Sequence, residues 1–170
     1  MEVIKTIFDD CLVVEPTQRN DERCDMALLY SHEGEMKEIF HGFTLTEQRF
    51  YRMRKHAFFG IHKGPPRLVC IIAGKGLDYV VDLRKDSPTY KQYQTIELSG
   101  DAPKIVFIPS GFGHAFLSLA EGTIEAFGMD LGAPFEKSGP VNYKSPGIEL
   151  KLPVSDVILA DYDRDAAMLE

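Results

Sequence analysis

Two histidines stand where local sequence can aim them at chemistry. His114 closes the run Ile105-Val-Phe-Ile-Pro109-Ser-Gly111-Phe-Gly-His114, in which an apolar strand enters a Pro-x-Gly turn and the histidine opens the next apolar strand. Pro109 fixes φ and Gly111 takes a conformation that other residues avoid, so the turn points His114 inward instead of toward solvent. His62, in Ala57-Phe-Phe-Gly60-Ile-His62-Lys63-Gly64, is its one partner on a strand; the remaining histidines are His32, His41 and His56, and no two form a His-x-His pair. An isolated pair of histidines is a poor transition-metal site, so neither a metal nor another cofactor is expected. Histidine's ordinary pKa near working pH suits it instead to taking and returning a proton. The plainer reading of each is a packed ring satisfied by backbone.

These side chains need strands to hold them. Short β-type runs separated by turn residues recur at Val3–Ile7, Cys11–Glu15, Gln48–Met53, Phe58–His62, Arg67–Ala73, Leu77–Leu83, Tyr93–Leu98, Lys104–Ile108, His114–Leu119 and Thr123–Met129. Such spacing is that of an all-β sandwich or barrel. Gly74 and Gly76 bracket a hairpin, and Asp86-Ser-Pro88-Thr opens a further turn. Helix is expected only over Glu33–Phe40 and Asp161–Leu169. The 170 residues, without repeat or linker, make one domain over 1–170. A net charge of -7 gives no footprint for nucleic acid or an anionic membrane. No apolar run reaches the length of a membrane span, and the start lacks a signal-peptide profile. Cys11, Cys24 and Cys70 are scattered, as reduced thiols of a cytoplasmic protein would be.

The Pro-x-Gly-x-x-His run resembles the second signature of the cupin β-barrel, which implies a mainly-β jelly roll with a short C-terminal helical segment. Over nearly the whole chain, the order of segments resembles the dTDP-4-dehydrorhamnose 3,5-epimerase family. The residues that carry the resemblance are Leu12-Val-Val-Glu15-Pro16, Asp21-Glu22-Arg23, Gly60-Ile-His62, Pro66-Arg67-Leu68-Val69, Asp78-Tyr-Val-Val-Asp82-Leu-Arg84-Lys-Asp-Ser87-Pro88-Thr89-Tyr90 and the Pro109–Phe116 turn.

The resemblance implies an epimerase or isomerase of deoxysugar biosynthesis, working without a cofactor on a 4-keto-6-deoxy sugar nucleotide. A base removes a proton beside the ketone, a cation holds the enolate oxygen, and an acid returns a proton on the other face. By resemblance the base is His62, Asp163 orients its ring, and Arg67 stands where the family has the lysine that holds the enolate. His114 would line the sugar pocket, and Arg23, Glu47, Arg49 and Arg84 would bind substrate. A homodimer is implied, with Arg23 serving the neighbouring subunit's nucleotide.

Departures cluster on function. Counting back from Asp130, the family's acid tyrosine falls on Ala126, with Phe127 beside it; Tyr79, Tyr143 or water would have to replace it. Phe59 stands for a phosphate-binding arginine, Glu47 and Arg49 for glutamine and asparagine, Cys24 for a glycine and Leu28 for an acid. Arg49 and Arg54 offer substitute phosphate contacts. Three readings follow: an epimerase acting at both centres or only one, a non-catalytic or repurposed sugar-binding cupin that lost the tyrosine, and a metal-dependent cupin enzyme. Retention of His62 with Asp163 favours the first, since a binding protein has no use for an oriented base.

Overall fold

The computed structural model describes residues 1–170. Its strands are β1 (Glu2–Lys5), β2 (Leu12–Glu15), β3 (Gln18–Asn20), β4 (Asp25–Ala27), β5 (Glu47–Met53), β6 (Phe58–His62), β7 (Arg67–Ala73), β8 (Lys75–Asp82), β9 (Tyr93–Ser99), β10 (Ile105–Ile108), β11 (Phe112–Ser118) and β12 (Thr123–Met129), with short helices α1 (Glu35–Ile39) and α2 (Asp161–Arg164). An antiparallel six-stranded sheet in the order β1-β2-β10-β7-β12-β5 faces a four-stranded sheet in the order β6-β11-β8-β9. The β3–β4 hairpin stands apart. This is the mainly-β jelly roll that the cupin resemblance implies, with strands at the spacing read from the sequence.

Alternation along each strand sorts residues to two faces. Val69, Ile71, Val80, Val106, Ile108, Phe112 and Phe116 meet between the sheets as the main core. On the back of the four-stranded sheet, Tyr79, Val81, Ala115 and Leu117 pack under Ile148 and Leu150 of the C-terminal segment. On the back of the six-stranded sheet, Leu68, Ile105 and Phe107 are covered by Met36, Phe40 and Phe43 around α1.

Two boundaries differ informatively from the sequence reading. β11 begins at Phe112, two residues before His114, because Phe112 and Gly113 already pair with Asp82 and Val81 of β8. The C-terminal helix stops at Arg164, because the chain beyond it turns extended and bridges Ala167 to Val141. Residues 141–170 therefore wrap the barrel as irregular chain, tied to β6 through Ala57–Ile158 and Ile61–Val141. That wrapping carries α2 to the open edge of β6. No helix is long and apolar enough to cross a membrane.

Candidate active site

His62 closes β6 and pairs in register with His114 on β11, so the two rings stand side by side on the inner face of the four-stranded sheet. The Pro109-Ser110-Gly111 turn that sets this register uses a glycine φ of 93°, a conformation that strains any residue with a Cβ. From the facing sheet, Arg67 of β7, Arg49 and Tyr51 of β5, and Glu125 and Phe127 of β12 line the same cavity, about 260 Å³ in volume.

Asp163 reaches His62 from α2. Its Oδ1 lies 2.7 Å from His62 Nε2, and its side chain keeps 6% exposure against 34% for the imidazole. The carboxylate is thus sealed while the ring faces the cavity. Accepting the Nε2–H fixes the tautomer and leaves Nδ1 with the free lone pair, the arrangement a base needs. The Tyr162 ring stacks on the imidazole, with centroids 5.5 Å apart. The close approach depends on Gly60, where a Cβ would sit 2.8 Å from Asp163 Oδ1. Gly60-Ile-His62 therefore supplies both the histidine and the space for its partner.

Arg67 is buried, donating Nη1–H to His62 O and Nη2–H to Phe112 O, both at 3.2 Å. Burial pulls its pKa down to about 10, against the opposing pull of Asp78, so it stays charged at neutral pH. Its Nε–H has no partner in the protein, leaving a cationic donor in reserve at the cavity wall.

His114 Nε2 contacts Asp78 Oδ1, and its ring stacks on Phe127, with centroids 5.8 Å apart. Asp78 was part of a recognised sequence run but was not singled out; its inward parity on β8, shared with Val80, is the signal that places it. Glu125 was missed altogether. Burial, helped by the nearby Asp78 charge, pushes its carboxyl up to about 8, and its Oε1 has no hydrogen-bond partner. One ligand atom each from Asp78, His114 and Glu125 come within 4.8 Å of one another. His114 Nε2 is already engaged by Asp78, and the Arg67 cation lies close enough to feel Asp78. A fixed positive charge beside the carboxylate and a histidine nitrogen already taken by it fit a divalent cation poorly.

The structure gathers His62, Asp163, Arg67, His114 and Arg49 at one cavity. Glu47 sits beside Arg49 as its ion-pair partner, outside the lining. Arg84 belongs elsewhere: it closes on Asp82 and Asp10 and lines a second cavity with Ser87 and Thr89. Asp82 is the hub there, accepting from Arg84, Ser87 and Thr89. Arg23 stands on the exposed turn after β3, paired only with Asp21. As for substitute acids, the Tyr79 hydroxyl donates to Lys151 O on the back of the sheet, and Tyr143 packs against Phe58 there. Neither lines the cavity. Ala126 lies on the outer face among Tyr30, Leu45 and Leu68, whereas Phe127 points inward.

A family model described as dTDP-4-dehydrorhamnose 3,5-epimerase matches residues 5–170. A dTDP-4-dehydrorhamnose 3,5-epimerase of Methanothermobacter thermautotrophicus is 33% identical over 175 residues, covering 95% of this chain and 91% of that protein. A dTDP-4-dehydro-6-deoxyglucose 3-epimerase of a Streptomyces species is 26% identical over 161 residues, covering 91% and 82%. Among solved structures, a dTDP-6-deoxy-D-glucose-3,5-epimerase of Legionella pneumophila, in complex with dTDP-4-keto-L-rhamnose, superposes with a TM-score of 0.89. It is 25% identical, with 98% of this chain and 92% of that chain covered.

Proposed function

The chain belongs to the dTDP-4-dehydrorhamnose 3,5-epimerase family, and from that premise we propose that it epimerises a 4-keto-6-deoxy sugar nucleotide beside its ketone. The observation that carries this is the His62–Asp163 pair at 2.7 Å, set in the same cavity as a buried, incompletely paired Arg67. His62 takes the proton from the carbon next to the carbonyl. The electron pair moves onto the carbonyl oxygen, and the guanidinium of Arg67 holds the resulting enolate. Asp163 holds the imidazole and balances its charge once it is protonated. His114 and Arg49 line the space for the sugar and its phosphates.

Epimerisation at one centre and at both centres is represented among the relatives. A homodimer fits the back of the six-stranded sheet, where Phe50 is 70% exposed and Ile72 48%; burying such apolar surface is what a partner copy would do. In that dimer Arg23 extends to the neighbouring cavity. The free cysteines, Cys11 and Cys70 buried and Cys24 exposed, suit a reducing cytoplasm.

The test is proton NMR of dTDP-4-keto-6-deoxyglucose with the protein in deuterium oxide. Loss of the C3 signal, the C5 signal or both is expected and reports which centres react. Retention of both signals at high enzyme concentration refutes the proposal and favours a sugar-binding barrel without catalysis.

A further inference from the structure

We propose that Glu125 is the acid that returns a proton to the sugar ring on the face opposite His62, in place of the tyrosine that this chain lacks. The inference rests on the epimerase reading and adds the identity of the second proton carrier.

Three observations carry it. The first is position: His62 reaches the cavity from β6 of the four-stranded sheet, and Glu125 reaches it from β12 of the facing sheet. A planar enolate held between the sheets presents one face to each. The second is an unfilled bond. Glu125 lines the cavity at 3% exposure, and its sealed Oε1, like Asp78 Oδ2 of the same cluster, has no partner, although a buried polar atom is normally paired; the carboxyl is thus not committed to any bond within the fold. The third is protonation. Burial and the Asp78 charge hold the carboxyl at about 8, so at neutral pH it carries the proton an acid must have.

Competing donors are displaced by strand parity. Ala126 faces outward, Phe127 faces inward without a hydroxyl, and Tyr79 and Tyr143 lie behind the four-stranded sheet. Tyr51 is the other hydroxyl at the cavity, and it stands near the Arg49 cation on the same strand. Asp78 of β8 and His114 of β11 lie against Glu125, and the other charged and titratable groups of its cavity are His62 of β6 and the Lys63 that follows it, Arg67 of β7, and Arg49 and Tyr51 of β5.

The step balances. His62 Nδ1 gains the C–H proton, and the C–H electron pair becomes the enolate. The enolate then takes the Glu125 O–H proton on its other face, which forms the new C–H bond, restores the carbonyl and leaves a Glu125 carboxylate. Solvent resets the pair by removing the proton from His62 and returning one to Glu125.

Removing the acid should separate two events that the complete enzyme couples. In deuterium oxide, Glu125→Gln is expected to keep proton washout within a few-fold of the unmodified protein, because His62 can return a deuteron to the same face. Inversion should fall by roughly 100-fold or more, the usual contribution of a general acid. Should Glu125→Gln not fold, Glu125→Asp, one methylene shorter, should show the same split in weaker form. Difference infrared spectra, with and without the substitution, should show a protonated carboxyl at pH 7 that is lost as pH rises.

The proposal is overturned if Glu125→Gln inverts as fast as the unmodified protein, if Tyr51→Phe alone abolishes inversion, or if the neutral carboxyl band is absent. It is also overturned if the purified protein holds a stoichiometric divalent cation that Glu125→Gln releases. No washout by the unmodified protein would instead sink the epimerase reading, and this inference with it.

Discussion

Gly60→Ala tests the dyad without touching either of its members. A Cβ at residue 60 would lie 2.8 Å from Asp163 Oδ1, 3.0 Å from its Cγ and 3.1 Å from its Cβ. Every near contact is on one short, buried side chain, so relief must come from Asp163 moving away. Reaching ordinary contact takes a retreat of roughly 0.6 Å, which stretches the 2.7 Å bond to His62 Nε2 toward the limit of useful hydrogen bonding. An imidazole that loses its orienting carboxylate typically costs ~10–100-fold in activity. We therefore expect kcat to fall by about that factor, KM to change little, and stability to drop by about 1–3 kcal/mol from overpacking. Steady-state conversion of the keto sugar, followed by NMR, measures the first two quantities, and urea unfolding the third. Coupling gives the sharper readout: an Asp163→Ala background removes the two closest contacts and leaves only the one at 3.1 Å to the Cβ, so adding Gly60→Ala should cost little further activity. A Gly60→Ala protein with undiminished kcat, or one whose loss simply adds to that of Asp163→Ala, would refute the reasoning.

The other expectations concern the cavity's charges and the Asp82 hub. Between pH 4.5 and about 8 the folded chain retains a Glu125 proton that the unfolded chain has released, so stability should fall as pH rises through that window, by at most about 5 kcal/mol. Glu125→Gln should flatten that slope in denaturant titrations at several pH values; an unchanged slope would show Glu125 ionised in the fold. Arg67→Met removes the buried cation and should lower kcat by roughly 100-fold or more; a rate near that of the unmodified protein would exclude it as the enolate's partner. Burial alone would raise the Asp82 carboxyl, but the bonds from Arg84, Ser87 and Thr89 hold it well below the usual carboxylate range. Its stabilisation is therefore present at neutral pH and lost on strong acidification. Asp82→Asn should cost about 3 kcal/mol in urea while barely altering catalysis, and a catalytic defect without a stability loss would contradict a structural role.

Much of the barrel was legible because its signals are local. Tyr79-Val-Val-Asp82-Leu carries the β-branched, apolar content of a strand and is buried on both faces, and Pro109-Ser-Gly111 encodes a turn that few other residues permit, so these strands followed. The pairing of His62 with Asp163 spans 101 positions. Nothing local joins them, and only the segment order of a family suggested it. Counting from Asp130 put the missing acid at Ala126, yet parity along β12 turns Ala126 outward and brings Glu125 and Phe127 inside. Small residues at 126 and 128, alternating with larger ones at 125, 127 and 129, were the available sign. Arg84 looked like a substrate ligand because it stands in a recognisable run, but that run folds back on Asp82. A side chain's partner within its own turn is decided by loop geometry, which residue type does not reveal.

The most direct test of the central claim is solvent deuterium exchange into dTDP-4-keto-6-deoxyglucose by the unmodified protein and by His62→Asn, with folding of both checked by thermal unfolding. The account predicts exchange at C3, C5 or both with the unmodified protein, and a loss of at least about 100-fold in His62→Asn at similar stability. Exchange at undiminished rate in His62→Asn would mean that another group removes the proton, and the site as built here would be wrong.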